Sequence, residues 1–271
     1  MSTRLFTEKE CTNMKLFAKI IGVFLVLLII GGAIFYKVKY LHEAEDVIVS
    51  PKNQIEEKAT INNKDIEKAE NKDLVIPDLI NYDVPFTTQA PLADWKDERQ
   101  QDGCEEASSV MAIRWARGEG DINKDEYLKA IIDLSDYEEN TYKEYRDINV
   151  NDVVKWIFND YFKYNKVKVK NNVIKQDIIN ELYQGNIILA PANGQLLDNP
   201  YFTQPGPERH MLVIKGYDKN KKEFITNDPG TKRGENYHYD EDVLFNAILA
   251  YPTGYHVEIS NMPKNVIVVS K

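Results

Sequence analysis

VPFTTQAPLADWKDERQQDGCEEASSVMAIRWAR, residues 84–117, is the stretch on which the reading of this chain turns. A short apolar piece, Val84 to Thr88, reads as extended and leads through a Pro- and Asp-rich turn to Asp102-Gly103-Cys104. From there Ala107, Val110, Met111, Arg114 and Trp115 fall at helical spacing. Asp102 is placed to cap that helix, Glu105 three residues on completes a capping-box pattern, and Gly118 stops it. Cys104 therefore sits in the first turn of a helix. Backbone N–H groups and the helix dipole there stabilise an anion and lower the pKa of a thiol.

Working outward, the 271 residues are 43% hydrophobic, with 16 Tyr and 10 Phe, enough for a substantial core. The net charge of −9 is unevenly spread. Residues 1–40 hold six cations against two acids, and the rest of the chain is strongly acidic. That surface does not suit nucleic acid, whose binding needs clustered Lys and Arg. No nucleic-acid partner is expected.

Ile20 to Tyr36, IIGVFLVLLIIGGAIFY, is an uncharged run that extends back to Leu16 if Lys19 snorkels. At 1.5 Å per residue it crosses a hydrocarbon core of about 30 Å. Basic residues flank it on both sides and no small-residue cleavage pattern follows, which separates it from a removable signal peptide. The expected organisation is a cytoplasmic tail over 1–15, a transmembrane helix over 16–36 and a polar spacer over 37–75. The body, 76–271, would then lie outside the cytoplasm. The cation balance around the span favours that orientation by a narrow margin.

Within the body, helices are predicted over Asn123 to Leu134, Asn149 to Tyr161 and Val173 to Tyr183. Strands follow at Asn186 to Ala190, His210 to Tyr217, Glu223 to Asn227, Val257 to Ile259 and Asn265 to Val269. Asp218-Lys219-Asn220-Lys221 joins two of them as a hairpin. Helices early and strands late describe an α+β domain, with helices packed on an antiparallel sheet.

Three residues carry the chemistry: Cys104 opening a helix, His210 opening a strand and Asp228 ending the next. The hairpin brings His210 beside the strand that carries Asp228. A carboxylate there fixes the imidazole tautomer while the other ring nitrogen faces a thiol. The thiolate would attack a carbonyl carbon and His210 would protonate the leaving amine. Gln89, aided by the backbone N–H of Cys104, would stabilise the oxyanion. His238 and His256 compete as the base. The acidic run from Asp121 to Asp125 lacks the Gly and Glu of a calcium loop, and no zinc spacing is present, so neither a metal nor a cofactor is expected. Cys11 lies across the expected membrane from Cys104, which leaves Cys104 a lone thiol.

Val84-Pro85-Phe86 with Gln89, then Gly103-Cys104-Glu105-x-Ala107-Ser108, then His210-x-Leu212-Val213-x-x-Gly216-Tyr217-Asp218, then Asp228-Pro229, resembles the stand-alone relatives of bacteriocin-processing cysteine peptidases. These belong to the papain-like clan and are related to domains that cleave double-glycine leaders. The resemblance covers Leu79 to the C-terminus. It implies a papain-like fold, a catalytic set of Cys104, His210 and Asp228, and Gln89 in the oxyanion hole. Two departures stand out. Glu105-Glu106 follow the cysteine where the leader-cleaving enzymes commonly have Gly-Pro, and their glutamine lies closer, which keeps Gln100 and Gln101 open as donors. Those enzymes sit fused to transporters, so their substrate is not carried over. The expected function is a membrane-anchored thiol hydrolase of peptide or amide bonds acting on a peptide or protein. Alternatives are a cell-wall amidase or transpeptidase of the same clan, and a peptide-binding module with Cys104 inert. Tyr201 and Phe202, beside the Pro205-Gly206-Pro207 loop, are candidates for a subsite.

Overall fold

The computed structural model describes residues 77–260 and 262–271. The tail, span and spacer expected over residues 1–75 lie outside these. Among the described residues no helix is long and apolar enough to cross a membrane.

The body is α+β. Its sheet joins β2 (Val167–Lys170), β7 (Val266–Val269), β3 (Ile187–Ala192), β4 (His210–Asp218), β5 (Glu223–Asn227) and β6 (Tyr237–Asp240) in that order, every described pairing antiparallel. A short β1 (Leu79–Asn81) pairs with the far half of β4, Ile80 opposite Tyr217. β3 takes the near half, Ala192 opposite His210. Side chains alternate across these buried strands and feed two cores. Ile187, Leu189, Met211, Val213, Ile267 and Val269 face α2 (Cys104–Arg117), α3 (Lys124–Tyr142) and a π-helix over Val153–Tyr161. Ile188, Ala190, Leu212, Ile214, Val266 and Val268 face α5 (Lys175–Tyr183) and α6 (Glu241–Ala247). Three further helical segments are short: α1 (Glu98–Gln101) precedes α2, α4 (Val150–Asp152) leads into the π-helix, and a 3-10 turn spans Gly194–Leu196.

The chain departs from the expected elements in instructive places. Asp102 does not cap α2. Its N–H closes α1 onto the Glu98 carbonyl, and Gly103 occupies the cap position with no side-chain bond. Val84 to Thr88 belongs to no strand, and neither does Val257 to Ile259. The latter loop is held by other means: the Val257 carbonyl accepts from Arg209 Nη2 at 2.5 Å. The strands β1, β2 and β6 were not foreseen, because runs of three or four residues leave too little period to read.

α3 is capped as its sequence indicates, with reciprocal 3.0 Å bonds between Asn123 and Glu126. It runs on past Leu134 to Tyr142, however, because Ser135 and Glu138 continue its buried face. There Glu138 meets Glu106 of α2, both fully buried, with the Ser135 hydroxyl donating to Glu106 Oε1 at 3.3 Å. Glu106 Oε2 and both Glu138 oxygens have no partner among the described residues unless the carboxyls share a proton. Burial, followed by Glu105 for Glu106 and by Glu106 for Glu138, pushes both well above the usual carboxylate range. A carboxyl with a raised folded pKa binds more protons folded than unfolded. Its stabilisation is therefore complete below the unfolded pKa and is lost as pH rises through the folded one. Glu138→Gln, whose amide donates permanently to Glu106, is expected to raise the urea midpoint in mildly alkaline buffer and leave it unchanged in acid. The gain would be about 1.4 kcal/mol for each unit by which the shared pKa stands above its unfolded value. Equal midpoint shifts at both ends of the pH range would refute the shared proton.

Candidate active site

The ends of β4 and β5 present His210 and Asp228 side by side. Hairpin pairing places Val213 opposite Asn227, so the chain leaves β5 at Asp228 while β4 still runs back to His210. His210 Nε2 lies 2.8 Å from Asp228 Oδ1, both residues being buried. The Tyr239 hydroxyl donates to Asp228 Oδ2 at 2.6 Å and the Gly230 N–H to Oδ1 at 2.9 Å. Burial disfavours the Asp228 charge, but His210 and these donors outweigh it and hold the carboxyl below its ordinary range. Tyr239 is pushed up by burial and by that neighbouring charge, so it remains a donor.

With Nε2 committed, His210 Nδ1 has no hydrogen-bond partner among the described residues. The ring packs edge-on against Phe202, centroids 5.3 Å apart. Gly230 lies against both rings: a Cβ there would sit 2.9 Å from Phe202 and 3.0 Å from the imidazole. The turn after Asp228 thus hugs the ring only because position 230 has no side chain.

Cys104 opens α2, which packs on β4, the Ser108 hydroxyl donating to the Met211 carbonyl at 3.1 Å. The thiol is buried and donates to Glu105 Oε2 at 3.0 Å. No hydrogen bond joins it to His210. Burial, then the charge of Glu105 and the bond to it, raise the thiol well above its ordinary range, with the Met211 backbone opposing. The helix-start position alone predicts the reverse shift. Burial first, and then the Glu105 carboxyl next to the sulfur, outweigh it here.

Gln89 is buried, and its backbone N–H donates to the Pro229 carbonyl at 2.9 Å, beside Asp228. Its side-chain amide donates to the carbonyls of Gln100 (3.1 Å) and Gln101 (2.7 Å), tying this loop to the end of α1. Gln100 is itself buried with Oε1 unpartnered, whereas Gln101 is exposed. Of the competing histidines, His238 pairs with Glu223 at 2.8 Å on the solvent face of the edge strand β6, and His256 Nδ1 lies 3.2 Å from Arg209. Neither sits beside Asp228. Tyr201 is half exposed, stacks edge-on with Tyr237, and lies under the Arg233 guanidinium at 4.7 Å.

Two site residues escaped the sequence reading. Tyr239 belongs to a strand too short to recognise, although the alternation Tyr237, Tyr239 was a usable signal. Glu105 was read as a helix-capping acid, whereas it points inward. Among the described residues no group of three or more His, Cys, Asp and Glu side chains is arranged to hold a metal ion.

Comparison with solved structures gives a protein assigned as a C39-like peptidase from Bacillus anthracis. It shares 16% identity and a TM-score of 0.46, over 71% of this chain and 98% of that one. Xylellain, a cysteine protease from Xylella fastidiosa, shares 12% identity and a TM-score of 0.39 over 72% and 87%. No curated protein matches the chain. The model of the Peptidase_C39 like family matches residues 81–253, the span that holds Gln89, Cys104, His210 and Asp228. The chain belongs to the Peptidase_C39 like family of cysteine peptidases.

Proposed function

We propose that this chain is a papain-like thiol hydrolase of peptide or amide bonds, with Cys104 as nucleophile, His210 as acid and base, and Asp228 orienting the imidazole. The observation that carries the reading is the 2.8 Å contact between His210 Nε2 and Asp228, which leaves Nδ1 open. In that tautomer Nδ1 takes the Cys104 proton, sulfur attacks the carbonyl carbon, and the same proton is returned to the departing nitrogen. Water then attacks the thioester carbonyl, His210 takes one of its protons and passes it to the departing sulfur as the C–S bond breaks, which releases the acid and restores the thiol. The Cys104 backbone N–H and the Gln89 amide are the oxyanion donors in this scheme. Gln89 gives up one of its two carbonyl bonds to serve. Phe202, packed against the imidazole, and its neighbour Tyr201 are the candidates for a subsite in this scheme.

The uncharged run Ile20 to Tyr36 with basic flanks supports a single membrane anchor, and the cation balance supports a body outside the cytoplasm. A second reading, a peptide-binding module with an inert thiol, is favoured by one observation: Cys104 is bonded to Glu105 and its ionisation is suppressed. The full chain incubated with a set of unstructured peptides separates the two. The hydrolase reading expects cleavage that disappears in step with iodoacetamide labelling of Cys104. Peptide retention without cleavage, unaffected by labelling, would install the binding module instead.

A further inference from the structure

Glu105 is unusual for a residue next to a nucleophile. It is 1% exposed. Its Oε1 accepts from the Ile148 N–H at 3.1 Å and from the Tyr251 hydroxyl at 2.7 Å, and Tyr251 is itself fully buried. Three elements, α2, the segment before α4 and the segment after α6, therefore converge to fix one carboxylate. The remaining oxygen, Oε2, receives the Cys104 thiol at 3.0 Å. A carboxylate so fastened cannot swing away from the sulfur. The thiol, on a single Cα–Cβ torsion, can.

We propose that Glu105 is a positioning residue that parks the Cys104 thiol in a resting orientation, and that the nucleophile forms only when the thiol leaves Glu105 for His210. The proposal rests on the hydrolase reading of the site. In the resting state Sγ–H donates to Oε2. On activation that hydrogen bond is given up, the S–H bond breaks, the proton passes to His210 Nδ1, and the electron pair stays on sulfur. Glu105 keeps its bonds to Ile148 and Tyr251 throughout and exchanges no proton. The other acidic groups facing the pair are Glu106 on α2 and Asp147 before α4, the latter paired with the buried Arg209 guanidinium at 3.5 Å, and the Met211 backbone opposes them at the sulfur. Resting sulfur on the Glu105 side is thus held as a thiol, and the geometry makes reactivity conditional on movement toward the imidazole.

The test is alkylation of the full chain by iodoacetamide at neutral pH, followed by mass spectrometry at Cys104, with Cys11 of the same molecule as internal reference. In Glu105→Gln, the amide oxygen can still accept from Tyr251 and Ile148 while the amide nitrogen offers the sulfur a donor. Labelling of Cys104 is expected to quicken by about tenfold or more, with a lowered apparent pKa in the rate profile. A change of less than about threefold overturns the proposal. If Glu105→Gln loses its far-ultraviolet circular dichroism, Tyr251→Phe replaces it under the same threshold, because it loosens the carboxylate without altering the sulfur. The hydrolase reading fails separately, through absence of peptide cleavage by every form including the parent, and the labelling comparison is read from the sulfur alone.

Discussion

His210→Ala is expected to lower kcat/KM for peptide cleavage by about a thousand- to ten-thousand-fold, the range in which loss of a paired general acid and base falls. The size follows from the state of the thiol. Burial and the Glu105 carboxyl both oppose ionisation of Cys104, and the nearby Arg209 guanidinium is turned to Asp147 and Glu208 instead. Without the imidazole, the proton has nowhere to go and the leaving nitrogen has no donor. Asp228→Asn is expected to cost less, because an amide oxygen can still hold Nε2–H, as in Cys-His-Asn arrangements, while only the charge is lost. Steady-state cleavage of one peptide by the three proteins checks the order. His210→Ala retaining activity within about tenfold of the parent would dismiss the imidazole from the reaction.

Gly234→Ala is expected to destabilise the body by about 3 kcal/mol, at the top of the range for forced overpacking. A Cβ at this position would lie 1.8 Å from the Asp228 carbonyl oxygen and 2.7 Å from its carbon, both backbone atoms that no rotamer change can move. The same two residues are joined by a 2.9 Å bond from the Asp228 N–H to the Gly234 carbonyl, while the Gly234 N–H donates to Thr231 at 3.0 Å. The loop that closes on itself here is the one that delivers Asp228 to His210. For a body of this size the loss corresponds to a fall in Tm of about 6–12 °C. Activity should fall below that of an equally destabilised variant elsewhere, since the carboxylate moves with the loop. An unshifted Tm would mean that the loop opens freely and does not clamp Asp228.

Much of this architecture could be read from the residues alone. The α2 start at Cys104, the β4–β5 hairpin and the carriage of His210 and Asp228 on it follow from strong local patterns: a helical stripe, two β-rich runs and a four-residue turn between them. The antiparallel sheet with helices was legible for the same reason. What was hidden depends on contacts between distant segments. Nothing local marks Glu105 as inward-facing, because the residues that hold it, Ile148 and Tyr251, lie 43 and 146 positions away. Likewise Gln89 is a generic polar residue until the carbonyls of Gln100 and Gln101 are brought to its amide. Asp102 misled for a simpler reason: one Asp served the end of α1, and two helices met where one was expected.

The pairing of β1 with the far half of β4 has a practical corollary. His210 begins β4 and β1 meets its last three residues, so about eight residue steps of roughly 3.3 Å, some 26 Å along the strand, separate His210 from the partner of Leu79 at the start of β1. A fluorescent protein, an affinity handle or a covalent link to a bead introduced ahead of Pro77 therefore attaches to the opposite end of the sheet from the cleft. Immobilised through that side, the body keeps its reactive edge turned toward the mobile phase.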